Sequence, residues 1–186
     1  QTSGNCIRNT TTDQFAGVAA DEIEDSRHYC EIIRQWSTFH PEFAFLPRKF
    51  KIAVCGTQID QAATQVHDIG IYLTLNDAGE TGFRILAGGG LGRTPVIGQQ
   101  VFSFVPQVDL LTALEAILRV YNREGRRDNK YKARIKILVK ELGIDAFKAK
   151  VMQEYERILG GPQTLTNEEI SRCRSFFTDP DYEDLH

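Results

Sequence analysis

A chain of 186 residues, 41% hydrophobic and 25% charged, can bury one core and is too short for two large ones. It shows no solenoid period, no low-complexity tract and no apolar run near the roughly 20 residues that span a bilayer, which sets aside repeat arrays, disordered chains and helical membrane proteins. A formal net charge of −3 speaks against a globally basic nucleic-acid binder. With no secretory-signal pattern at its start, the chain reads as soluble and cytoplasmic; Gln1 in place of an initiating Met reads as truncation or processing, with a targeting segment open.

Residues 21–36 carry Ile23, Cys30, Ile33 and Trp36 at helical spacing and predict an amphipathic helix. In residues 49–55, Lys49, Phe50, Lys51 and Ile52 alternate, the period of a strand that sends both lysines to one face. Residues 60–67 are expected as a short helix. The apolar, β-branched stretch 68–75, the turn Asn76-Asp77-Ala78-Gly79 and residues 83–86 predict an antiparallel pair. Gly88-Gly89-Gly90 then precedes a further strand at 100–105. Pro106 and Asp109 open a helix striped with Leu110, Leu114, Ile117, Leu118 and Tyr121. A second helix carries Ile135, Leu138 and Leu142 and stops at Gly143; a third, capped by Asp145, turns Phe147, Val151, Tyr155 and Ile158 inward. Gly160-Gly161-Pro162 ends it, leaving a short helical piece at 167–177 and an acidic tail at 179–184. The expected fold class is α+β, a mixed, mostly antiparallel sheet of about five strands covered by helices. Residues 1–160 form one unit in this reading, and residues 161–186 a linker and the start of the next.

The four cysteines, Cys6, Cys30, Cys55 and Cys173, are widely separated and form no Cys-x-x-Cys pair, which argues against a zinc knuckle or a self-contained cluster. Cys30 and Cys55 read as small buried hydrophobes. His28, His40, His67 and His186 lack metal-ligand spacing and read as surface or satisfied residues, so no metal site is expected. No nucleophile elbow supports hydrolysis. Residues 119–140 are locally basic, with Arg123, Arg126, Arg127, Lys130, Lys132, Arg134 and Lys136 against Glu124 and Asp128. A phosphate-gripping module is therefore an alternative, but Tyr121 and Tyr131 fit a helical core better than stacking platforms for bases.

Asn5-Cys6-Ile7-Arg8-Asn9, Leu46-Pro47-Arg48-Lys49-Phe50-Lys51, Leu86-Ala87-Gly88-Gly89-Gly90-Leu91 and Gly125-Arg126-Arg127-Asp128 with Lys132-Ala133-Arg134 occur in this order. The succession resembles the sirohaem-dependent assimilatory sulfite and nitrite reductases over roughly residues 1–160. The resemblance implies the first of two large repeats, with the cluster cysteines in the second. It implies a six-electron reduction at a sirohaem bridged to a 4Fe–4S cluster in the complete enzyme, with neither group held stably by this chain alone. The implied partners are the remaining half of the polypeptide, a ferredoxin or flavoprotein electron donor, and sulfite or nitrite. It assigns Arg8, Lys49 and Lys51 to catalysis, and Asn5, Arg48, Gly88, Gly89, Gly90, Arg127 and Arg134 to the cofactor. Members that reduce sulfite carry Lys at both strand positions, as here, whereas Asn replaces the second in members that reduce nitrite. The residue chemistry agrees: a polycarboxylate macrocycle calls for guanidinium groups from several elements and for glycine where backbone must come close. A non-catalytic scaffold repeat is the remaining alternative.

Overall fold

The computed structural model describes residues 3–178. Strands β1 (Ile7–Thr11), β2 (Phe50–Cys55), β3 (Ile69–Leu75), β4 (Thr81–Ala87) and β5 (Gln99–Pro106) form one sheet in that spatial order. Helix α1 (Arg27–Ser37) lies between β1 and β2 in the chain, and α2 (Leu110–Glu124), α3 (Ile135–Leu142), α4 (Ile144–Ile158) and α5 (Asn167–Arg174) follow the last strand. The expected α+β sheet of five strands with helical cover is observed. Half of its pairings rather than most are antiparallel: β3–β4 and β4–β5 run antiparallel, β1–β2 and β2–β3 parallel.

Period-2 alternation divides the sheet into two unlike faces. Phe50, Ile52 and Val54 on β2 join Ile69, Ile71 and Leu73 on β3 and Phe83, Ile85 and Ala87 on β4 in the main core. Helix α2 closes that core with Leu110, Leu114, Ile117, Leu118 and Tyr121, all wholly buried, each side chain contributing about 1.5–3 kcal/mol. On the opposite face Cys55, Tyr72 and Leu86 form a small second cluster with Ala62 against it, and Lys51 belongs by alternation to this thinly covered side.

Several boundaries differ from the sequence reading. Strand β1 was not expected, since only Ile7 of its five residues is buried. Helix α1 starts at Arg27 rather than near residue 21, because Glu22 accepts the amides of Gly17 and Ser26 and Ile23 donates to the Gly56 carbonyl, which holds this stretch in a loop. The helix expected over 60–67 is a single 3₁₀ turn at Thr64–Val66; the Asp60 carboxylate takes the amides of Ala62, Thr64 and Gln65 and so competes with helical bonding. Gly143, at φ 78°, both ends α3 and caps α4, leaving Asp145 in the first turn. His28, read as a surface or satisfied residue, is fully buried, with Glu24 3.3 Å from its Nε2. Leu165, Ile170 and Cys173 pack in the main core. The acidic tail expected from residue 179 lies outside the described residues. No helix among those described is long and apolar enough to cross a membrane.

Candidate anion-binding site

Backbone bonds gather the first candidates before any side chain acts. The Asn5 carbonyl accepts the Leu46 amide at 2.7 Å and the Cys6 carbonyl accepts the Phe50 amide at 3.0 Å, which lays the Arg8 segment along Arg48 and Lys49. In the parallel β1–β2 ladder Ile7 pairs with Phe50 and Asn9 with Lys51. Arg8 is therefore the extra residue of a β-bulge, a device that re-aims a side chain beside a site. Its Nε donates to the Gly4 carbonyl at 2.8 Å. Phe50 is wholly buried in the core, while Lys49 is half-buried and Lys51 exposed, as the alternation predicts.

Asp68, which precedes β3, is 1% exposed and anchors the arrangement. Its Oδ2 accepts the Lys51 amide at 2.9 Å, and its Oδ1 accepts Nε and Nη2 of Arg134, at the start of α3, at 2.9 and 2.6 Å. Burial pushes the Asp68 carboxyl up from its usual range, against the pull of Arg134 and the Lys51 amide. The Lys49 ammonium is destabilised first by desolvation and then by the positive charges of Arg134, Arg8, Lys51 and Arg48, which together lower its pKa. Four cationic side chains thus lie within electrostatic reach of Lys49, an arrangement that an anion would relieve.

The glycine triplet sits behind these cations, buried against this chain's own atoms. A Cβ on Gly88, at φ +83°, would meet Val139 at 3.0 Å, one on Gly89 the Gln65 and His67 carbonyl oxygens at 2.5 Å, and one on Gly90 the Arg134 guanidinium at 3.1 Å. At Gly89 close packing against backbone is reason enough for a small residue, whereas at Gly90 the neighbours are long side chains that can give way. Arg127 is exposed and places its donors on the Phe45 carbonyl and on Asn122, so it ties two loops together. Two contributors escaped the sequence reading. Asp68 is one; the other is Lys136, whose Nζ donates to the Leu91 and Thr94 carbonyls at 3.2 and 2.6 Å and pins the loop after the glycines. A charged residue heading an apolar strand was the available signal for Asp68.

The rest of the basic stretch does not form one face. Arg119 pairs with Glu42, Glu115 and Glu154 at 2.8, 2.6 and 3.2 Å, Arg123 with Glu154 and Arg126 with Asp128. In the cleft of about 460 Å³ lined by Glu42, Arg119, Arg123, Glu154 and Arg157 the arginines are accordingly engaged with carboxylates of this chain. Tyr131, expected in the helical core, is 80% exposed, with the Lys130 ammonium 5.2 Å from its ring centroid.

A mixed five-stranded sheet with cations converging at the start of β2 is the frame in which the family comparison falls. The model of the nitrite and sulphite reductase 4Fe-4S domain matches residues 3–159, and the chain belongs to that family. It is 34% identical over 161 residues to sulfite reductase [ferredoxin] 1 of Mycolicibacterium paratuberculosis, covering 86% of this chain and 29% of the relative. Over 184 residues it is 30% identical to the chloroplastic ferredoxin--nitrite reductase of Arabidopsis thaliana, covering 94% and 31%. The solved Mycobacterium tuberculosis NirA protein superposes with a TM-score of 0.74 at 32% identity, over 83% of this chain and 28% of that one. Dissimilatory sulfite reductase I shares the fold at a TM-score of 0.65 and 14% identity, over 99% of this chain and 57% of that one. The chain spans less than a third of the curated relatives named here.

Proposed function

We propose that the chain is one sirohaem-embracing repeat of a reductase acting on sulfite or nitrite, supplying cationic contacts and no iron ligand. The observation that carries this reading is the gathering of Arg8, Arg48, Lys51 and Arg134 around Lys49, brought about by the bulged β1–β2 ladder and the Asp68 bridge from the Lys51 amide to Arg134. That convergence fits a polycarboxylate macrocycle and a small anion together: Arg48 and Arg134 would hold carboxylates, with Asn5 and Arg127 at the margin, and Arg8, Lys49 and Lys51 would face the substrate. When bound, sirohaem with its cluster would supply the electrons. In this chain's own part, the cations offset substrate charge, and Lys49, with its lowered pKa, is the readier proton donor. The names of the relatives support ferredoxin as electron donor, the paired lysines support sulfite, and a cytoplasmic setting completes the proposal.

The test is Lys49→Met in the complete polypeptide that carries this segment, beside Lys130→Met on the exposed basic turn. Sulfite and nitrite reduction should fall by at least about a hundredfold for the first, the usual worth of a positioned acid, and stay unchanged for the second. A full rate with Lys49→Met would identify a scaffold repeat instead.

A further inference from the structure

Beyond the cations themselves, the structure assigns Asp68 the part of a positioning residue, which fixes the Lys51 backbone and the Arg134 guanidinium in one frame so that both stay aimed at the bound anion. This inference rests on the anion-site reading above and adds to it a group that touches no ligand. A carboxylate beneath an anion site is at first sight misplaced, since it cancels charge the anion would use. Its geometry explains it. Asp68 faces inward at 1% exposure, and its two oxygens are divided between two elements, Oδ2 taking the Lys51 amide and Oδ1 the Arg134 side chain. Its own carbonyl accepts the Gly88 amide at 3.0 Å. One residue thereby joins β2, the start of α3 and the glycine loop, elements that meet only in the fold. The Arg134 side chain remains 20% exposed, with donors left over for a ligand once Asp68 has fixed the plane of the guanidinium. Lys51, exposed and long, gains a fixed root.

Asp68→Asn is close to isosteric but offers a single acceptor oxygen, so it can serve the Lys51 amide or Arg134 and must turn an N–H donor toward the other. It leaves the Lys51 amide or the Arg134 guanidinium without its acceptor at a buried site, so a loss of stability should accompany the loss of positioning. Sodium sulfite, titrated at low ionic strength into the ¹⁵N-labelled 186-residue chain, is the probe. In the wild type, where no macrocycle carboxylate occupies Arg134 and sulfite can take its place, Lys51, Arg8 and the Arg134 Nε–H signal should shift together, and the Lys51 amide should exchange slowly. In Asp68→Asn the affinity should drop about tenfold, the scale on which outer partners of a ligand shell act, with faster exchange at Lys51 or Arg134. Arg134→Lys, which keeps the charge beside Asp68 but loses the planar fork, should weaken sulfite to a similar degree and provides the measurement if Asp68→Asn does not fold. Sulfite affinities within twofold of wild type in the folded variants overturn the positioning role and leave the anion site standing. A wild-type chain whose Lys51, Arg8 and Arg134 signals ignore sulfite overturns the anion-site reading, and this role with it.

Discussion

Substituting Gly89 by alanine separates packing from cofactor contact in the glycine triplet. The new Cβ would lie 2.5 Å from two backbone carbonyl oxygens, those of Gln65 and His67, roughly 1 Å inside ordinary contact. Neither oxygen belongs to a flexible side chain, and the Gln65 carbonyl also holds the Gly98 amide at 2.7 Å. Relief therefore requires moving backbone and lengthening that bond. Overpacking of this kind costs about 1–3 kcal/mol, and a weakened buried hydrogen bond adds about 1 kcal/mol. For a domain of this size a loss of about 2–4 kcal/mol lowers Tm by roughly 5–12 °C. Gly98→Ala is the control, because its Cβ would find its neighbours at 3.4 Å, and its effect should stay within about 1 kcal/mol. Thermal unfolding of the isolated chain, followed by circular dichroism, decides the matter. If Gly89→Ala melts with the wild type, internal packing is not what keeps position 89 small, and close approach of a macrocycle becomes the better account.

In the complete polypeptide, Lys51→Asn should lower the ratio of sulfite to nitrite kcat/KM by roughly five- to tenfold, about 1 kcal/mol for one solvated charge; an unchanged ratio removes Lys51 as the discriminating cation. The purified chain should show no haem or iron–sulfur bands in its visible spectrum, since in the proposed reading it offers one side of the macrocycle's surface and no iron ligand, and a stable band would contradict that reading. Burial alone would raise the Glu24 carboxyl, but the close approach of the His28 ring, the Tyr29 hydroxyl that donates to it and the Arg174 charge bring it from an ordinary 4.5 down to about 2. A depressed carboxylate stabilises the fold fully above its unfolded pKa, so this contribution should disappear as pH falls from about 4.5 through 2. Urea midpoints across that window should fall less steeply for Glu24→Gln than for wild type, and parallel slopes would refute the assignment.

Helix α2 and strands β2 to β5 could be read directly because their apolar residues repeat at the periods of helix and strand, and burial follows those periods. Strand β1 could not: Arg8, Asn9, Thr10 and Thr11 give it no apolar face, and it exists because β2 offers an edge. The parallel pairing of β2 with β1 and β3 depends on where α1 and the 57–67 loop carry the chain, a tertiary matter that local pattern does not record. At the site, the alternation around Phe50 displayed Lys49 and Lys51, and the family resemblance supplied Arg8 and Arg134. Asp68 stayed hidden because its partner Arg134 lies 66 residues away. Arg127 illustrates the converse, a guanidinium in a matching motif whose donors bond to the Phe45 carbonyl and to Asn122 at the end of α2. The burial of His28 was missed because the stripe read for this helix, through Cys30, Ile33 and Trp36, is not its buried face, which carries His28, Tyr29, Ile32 and Ile33.

The bulged edge strand that carries Arg8 also has a kinetic consequence. The β3–β4 pairing closes through a tight turn at Asn76 and Gly79, whereas β1 can dock only after the whole excursion through α1 has been drawn in and β2 is in place. Closing a long loop costs entropy before its contacts repay it, so β1 should be the last strand to join and, with one buried residue, the first to leave. Arg8 would leave with it, so mild denaturant or an edge mutation should take one cation from the proposed anion site while the remaining four keep their places.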